Sequence, residues 1–274
     1  MTSPTHHRVL ALSQMRINSP ILTLSHSAAL LSSFATHYPE RCKAIALLSI
    51  PYRSVELGLD HLLTTVDRDV YPADEYPYGQ WDYMRFYEES FEKAVGNFEL
   101  EIPGLARLLF SRVPPLPSDK PAPFATARQR GAFFAPSGAP KPEEIPFELM
   151  IDQKTYDEFV AGMQRTGFGP ACTWYMNHKE NHAYNRDVPN DGALDIPVLY
   201  ISSTHDVACL PQSRLGDEMR RVCKNLTEIT LDAAHWIQIE KQEETNAALA
   251  RFLVEKLPSE WPVSWNDHKV SGTS

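Results

Sequence analysis

Apolar residues fall into two kinds of pattern along this chain. Near both ends they form short, nearly unbroken runs: ILTL at 21–24, CKAIALLSI at 42–50, IPVLYIS at 196–202 and the more mixed LTEITL at 226–231. Continuous rather than alternating apolar character suits strands buried on both faces of a parallel sheet. Around these runs, AALLSSFATHY at 28–38, PQSRLGDEMRRVC at 211–223 and ETNAALARFLVEKL at 244–257 read as helices. Strand and helix in alternation predict parallel pairing with right-handed crossovers, hence an α/β fold with a mostly parallel sheet flanked by helices.

The two flanks are separated by sequence of another character. The expected organisation is a core in two segments, 1–50 and 196–274, around a mainly helical insertion at 51–195. That insertion opens with aromatic, charged helical sequence, WDYMRFYEESFEKAVGNFE, and closes with PFELMIDQKTYDEFVAGMQRTG and WYMNHKENHAYNR, whose apolar positions recur at helical spacing. Between them, the stretch 103–146 holds ten of the chain's 22 prolines. So many fixed φ angles and missing N–H groups predict an irregular surface excursion with no regular helix or central strand.

Composition narrows the function classes. The chain has 274 residues and 43% hydrophobic content, enough for a substantial core. A net charge of −9 argues against nucleic acid or an anionic membrane as partner, because the long-range field repels phosphate. Cys42, Cys172, Cys209 and Cys223 are scattered without a CxxC pair, so free thiols are expected and neither a zinc knuckle nor a disulfide framework. The start, MTSPTHHRVLALSQ, lacks a sustained apolar h-region, and no apolar run is long enough to span a bilayer. A soluble, cytoplasmic protein is the expectation, with its oligomeric state unspecified.

Chemistry gathers towards the C-terminal end. In IPVLYISSTHDVACLP a buried strand ends in small polar residues and presents Asp206; in LDAAHWIQIEK, His235 follows the next strand. Catalytic groups of open α/β sheets collect beyond the carboxyl ends of strands, so both should stand at one edge. A carboxylate on one imidazole nitrogen fixes the tautomer and supports the imidazolium formed at the other. Taken singly, Asp206 also fits a cap for the helix near Pro211, and His235 a packed residue beside Trp236. Taken together, strand, Asp, helix, strand and His favour the acid and base of a nucleophile–acid–histidine triad.

These two segments resemble the acid and histidine segments of the soluble epoxide hydrolase family within the α/β-hydrolase superfamily. The segment YGQWDYMRFYEESFEKAV (78–95) looks like that family's first cap helix, and RTGFGPACTWYMN (165–177) resembles its RTGF…WYRN run. HYPERCKAIALLSIPY (37–52) is also family-like, so the similarity covers about 27–258, interrupted by the proline-rich stretch. The resemblance implies an α/β-hydrolase core with a cap and cofactor-free addition of water to a small organic epoxide. An aspartate attacks the epoxide, two tyrosines donate to its oxygen, and a histidine-activated water cleaves the ester. The positions matching the two tyrosines are Tyr83 and Tyr175. Each alone equally suits a cap-core aromatic among eleven tyrosines.

The nucleophile position departs from the pattern. Counting back from HYPERC, the family's GHDWG elbow falls on Thr23, Leu24, Ser25, His26 and Ser27, so the aspartate has become Ser25. A serine opening an epoxide leaves an ether, which activated water does not practically cleave. Ser25 with Asp206 and His235 instead suits ester hydrolysis. Neither the family's HGxP loop nor any HG dipeptide occurs. Only 24 residues precede Ser25, where the fold places roughly a hundred. The expectation is therefore an incomplete core, truncated at the N-terminus, with family-like sequence resuming near Ser27. Three functions follow: an epoxide hydrolase in its complete form, an esterase-like hydrolase using Ser25, and an inactive remnant that binds a ligand or partner.

Two other clusters read more simply. His178 and His182 in HKENH are one helical turn apart, but the glutamate is misplaced for HExxH and no third ligand follows, so a solvated helix face is expected rather than zinc. The acidic run 67–75 lacks the glycine-centred pattern of a calcium loop.

Overall fold

The structure, a computed structural model, describes residues 19–24, 26–211 and 213–259. Among these, strands β1 (Ser19–Leu24), β2 (Cys42–Leu48), β3 (Leu194–Ser203) and β4 (Cys223–Leu231) stand side by side in chain order, each parallel to its neighbour. Helix α1 (His26–His37) links β1 to β2. Between β2 and β3 lie α2 (Gly58–Leu63), α3 (Asp82–Glu89), α4 (Phe91–Glu99), α5 (Ile102–Leu109), α6 (Ala127–Arg130), α7 (Gln153–Thr166), α8 (Gly169–Thr173) and α9 (His178–Arg186). Helix α10 (Asp217–Val222) joins β3 to β4, and α11 (Ile237–Glu240) and α12 (Gln242–Lys256) follow β4.

The unbroken apolar runs are explained by burial on two sides. Ile45 and Leu47 of β2 cluster with Val198 and Tyr200 of β3, which face them in register, beneath Ala28, Leu31 and Ala35 of α1. The alternate residues Ala44, Ala46 and Leu48 cluster with Leu199 and Ile201 on the opposite face, beneath Ala248 and Phe252 of α12. The period of two sends successive side chains into different cores, so every position must be apolar. Each fully buried Leu, Ile or Phe contributes about 1.5–3 kcal/mol.

Three expectations need correction. The segment 211–223 holds a 3₁₀ turn and the short α10, and β4 begins at Cys223 rather than at 226. Helix α9 starts at His178; Trp174–Met176 is a 3₁₀ turn. The proline-rich stretch contains regular helix: α5 runs from Ile102 to Leu109 with Pro103 in its first turn, where a missing N–H leaves no bond unmade. Nor is that stretch peripheral. Arg128 donates its backbone N–H to Asp82 of α3 (2.8 Å), and Asn97 of α4 donates its side-chain amide to the Ala135 carbonyl (2.9 Å). Ala125, Ala127, Ala132 and Ile145 are buried. Small side chains let the proline-bearing backbone pack closely against the helices.

The helical segment has its own core, in which Phe86, Tyr87, Phe98, Leu105 and Phe168 cluster apart from the sheet. Asp152 caps α7 by accepting the Thr155 N–H (2.8 Å), and Gly167 ends that helix with φ of 67°, a conformation glycine adopts without strain.

A buried polar layer ties this segment to the sheet. Glu56, 5% exposed, accepts from the Ser32 hydroxyl of α1 and from the Ser54 N–H (3.1 Å). Asn185 of α9 donates to the Glu56 carbonyl (3.2 Å), and Ser33 of α1 donates to the Asn185 side chain (2.7 Å). Burial pushes the Glu56 carboxyl up from 4.5 to about 7, against the opposing pull of its hydrogen bonds and of Arg53. The unfolded chain therefore loses this proton first as pH rises. The protonated group's stabilisation is complete below 4.5 and is lost as pH rises through about 7. Glu56→Gln is expected to raise stability above pH 7 by roughly 3 kcal/mol and to flatten this dependence. Thermal melts at several pH values check it; a mutant curve parallel to the parent's would refute the assignment.

Candidate active site

The carboxyl ends of β3 and β4 present the two residues singled out at that edge. Beyond β3, the Asp206 carbonyl accepts the Cys209 N–H (3.0 Å) and its carboxylate accepts the Ala208 N–H (3.2 Å), so the turn fixes the side chain. Its other oxygen, Oδ2, lies 2.7 Å from His235 Nδ1. Asp206 is 4% exposed, and the His235 side chain is 35% exposed towards the cavity. A carboxylate only accepts, so Nδ1 carries hydrogen and Nε2 is the basic nitrogen. Burial alone would lower the proton affinity of His235. The Asp206 carboxylate, aided by Glu240, more than offsets this and holds it above 6.5.

The loops carrying the pair are pinned to each other and to β2. His205 Nε2 lies 2.8 Å from Asp232, so a second His–Asp contact of opposite polarity bridges the same loops. Ser49, just past β2, has φ of 63° and is buried. Its hydroxyl donates to the His235 carbonyl (2.8 Å), and its own carbonyl accepts the Tyr200 hydroxyl (3.0 Å). A non-glycine residue in the left-handed region is uncommon, and the bonds on both sides of Ser49 hold it there. His205 adjoins Asp206 in sequence; no sequence signal marked Ser49 or Glu240.

Facing this edge is a cavity of about 740 Å³ whose lining includes Asp206, His235, Tyr83 and Tyr175. The two tyrosine rings meet edge to face at 5.8 Å, and Tyr83 packs likewise on Phe124 (5.5 Å) and Phe133 (5.7 Å). Burial raises both phenols well above their ordinary value, with contact to Tyr83 partly opposing the rise at Tyr175. Both stay protonated at neutral pH and can donate hydrogen bonds. Val113 to Leu116, from the proline-rich stretch, complete one side of the wall.

The structure thus brings Asp206, His235, Tyr83 and Tyr175 to one cavity. Ser25 lies outside the described residues. The two histidines of HKENH do not form the solvated helix face expected of them: His178 is buried, and His182 is partly buried with Nδ1 2.8 Å from the Leu57 carbonyl. Among the described residues no cluster of three or more His, Cys, Asp or Glu could hold a metal ion, and no helix is long and apolar enough to cross a membrane. The four cysteines are free and buried.

No family model matches the chain. It is 30% identical to epoxide hydrolase A of Mycobacterium tuberculosis (strain ATCC 25618 / H37Rv) over 115 residues, 42% of this chain and 34% of that protein. It is 24% identical to bifunctional epoxide hydrolase 2 of Sus scrofa over 230 residues, 82% of this chain and 37% of that protein. The chain therefore spans about a third of the length of these curated relatives. Its fold superposes on epoxide hydrolase A of Mycobacterium thermoresistibile with a TM-score of 0.60 at 23% identity, covering 86% of this chain and 69% of that one. The corresponding figures for potato (Solanum tuberosum) epoxide hydrolase I are 0.58, 18%, 90% and 74%. These solved structures show the α/β-hydrolase fold, of which the parallel four-stranded sheet and its helices are a part. In sequence the chain is similar to epoxide hydrolases, and in fold it is similar to solved epoxide hydrolases.

Proposed function

We propose that this chain adds water to a small apolar epoxide to give a diol, with residues 51–195 as a cap over a hydrolase core. The observation that carries the reading is one cavity in which a hydrogen-bonded Asp206–His235 pair at the sheet edge shares the lining with two buried phenols, Tyr83 and Tyr175. His235 Nε2 is the base that takes a proton from water, and Asp206 holds the tautomer and supports the imidazolium. Tyr83 and Tyr175 donate to the epoxide oxygen as the ring opens. An ether formed at Ser25 would not be cleaved, so the nucleophile assigned to this chain is the water that His235 deprotonates. Its oxygen bonds to the ring carbon as the C–O bond breaks, the alkoxide takes a proton from a tyrosine, and the proton that His235 took from water returns through solvent to that tyrosinate, which restores both residues. No cofactor enters this scheme.

The expected result is diol formation from a styrene-oxide-type epoxide that is lost in His235→Ala. A second reading, ester hydrolysis through Ser25, rests on the serine at the elbow position ahead of the same Asp–His pair. It predicts p-nitrophenyl ester cleavage lost in His235→Ala with no diol formed. Turnover of neither substrate by soluble, folded protein would overturn both and leave ligand or partner binding as the function.

A further inference from the structure

The loop that carries His235 is held from the far side by a carboxylate. Glu240, the last residue of α11, accepts the Ala234 N–H on Oε2 at 2.9 Å, while Ser49 holds the His235 carbonyl from the other direction. The second oxygen, Oε1, is buried and has no hydrogen-bond partner among the described residues. Glu240 also lines the cavity that His235 enters. The neighbouring Lys241 extends towards Glu244 (3.7 Å).

A half-satisfied buried carboxylate is costly unless a positive charge compensates it. An amide would satisfy the Ala234 N–H equally well, so the hydrogen bond alone does not account for a charge here. Among the described residues, the charged and titratable groups that share the loops and cavity of the imidazole include Asp206 from the β3 loop, Glu240 from α11, the His205–Asp232 pair beside them, and the two phenols of the helical segment. Of these carboxylates, Glu240 is the one with a buried oxygen that has no partner among the described residues.

We propose that Glu240 is a positioning residue for His235: one oxygen fixes the backbone that carries the imidazole, and the charge on the other supports the imidazolium as a second acid beside Asp206. The direction of the His235 shift agrees, since Glu240 contributes to raising it. The inference builds on the base role proposed above for His235. Its test reads the imidazole and not turnover, so it stands or falls even if no substrate is hydrolysed.

The experiment is a pH titration of the His235 side-chain resonances in the full chain labelled at histidine, assigned by their absence in His235→Gln. Glu240→Gln, which keeps an acceptor for the Ala234 N–H, is expected to move the midpoint to lower pH. Glu244→Gln, the same charge change on the exposed side of the next helix, is expected to leave it in place. A midpoint unchanged in Glu240→Gln, or lowered equally in Glu244→Gln, overturns the proposal. A second measurement needs no variant of Glu240. In the parent protein the Glu240 carboxyl ¹³C resonance should inflect at the His235 midpoint, and the inflection should vanish in His235→Gln. No inflection in the parent, or one that persists in His235→Gln, likewise overturns it.

Discussion

Diol formation is expected to fall roughly 10²–10⁴-fold in both His235→Ala and His235→Gln, the range for losing a positioned general base. The two variants should differ in stability. Alanine leaves the Asp206 carboxylate, 4% exposed, without its 2.7 Å partner, and an abandoned buried acceptor costs about 1–3 kcal/mol. Glutamine can still donate to Asp206, so its melting temperature should stay near that of the parent. Equal inactivity with unequal stability would separate proton transfer from scaffolding; full activity in His235→Gln would remove His235 from the mechanism.

The pH profile carries the same signature. In the proposed mechanism the neutral imidazole is the base; its proton affinity is raised, so kcat/KM should climb with pH along a limb centred above 6.5. Asp206→Asn should shift that limb towards lower pH while lowering its plateau, because an amide neither supports the imidazolium nor fixes the tautomer. Stability has the opposite sense. A histidine raised in the folded state stabilises fully below 6.5 and loses that contribution as pH rises through its folded value. Asp206→Asn should therefore be most destabilising on the acid side, which thermal melts across that range would show.

Much of this arrangement was legible because it follows from periodicity and strand ends. Runs such as CKAIALLSI suit strands covered on both faces, and the structure sorts their alternate residues into two cores. Asp206 and His235 were placed together because each follows a strand in a parallel sheet, and parallel strands bring their carboxyl ends to one edge. The aromatic partners were found differently: nothing in periodicity separates Tyr83 or Tyr175 from the other tyrosines, and only the resemblance of their flanks marked them. The proline-rich stretch misled because proline count says nothing of proline position. Pro103 in the first turn of α5 permits the helix that ten prolines spread over 103–146 seemed to forbid. Ser49 and Glu240 were invisible because their contacts are to the backbone of the loop that carries His235: Ser49 to the His235 carbonyl, 186 residues away, and Glu240 to the Ala234 N–H, 6 residues away.

Tyr83→Phe and Tyr175→Phe are each expected to lower kcat for epoxide opening on the order of 10², with KM little changed. The reason is when the charge forms. A neutral epoxide oxygen is a modest acceptor, and full negative charge appears only as the ring breaks, so a phenol contributes more to the transition state than to binding. Burial keeps both phenols protonated, so this contribution should persist into the alkaline range. The substitution removes one oxygen and leaves the ring that makes the 5.8 Å edge-to-face contact and the aromatic packing around it. Folding should change by no more than about 1 kcal/mol. The double variant should lose more than either single but less than their product, because one remaining donor partly covers for the other. A rise in KM at constant kcat would instead make the tyrosines a binding surface, and a strictly multiplicative double variant would mean that they do not share one oxygen.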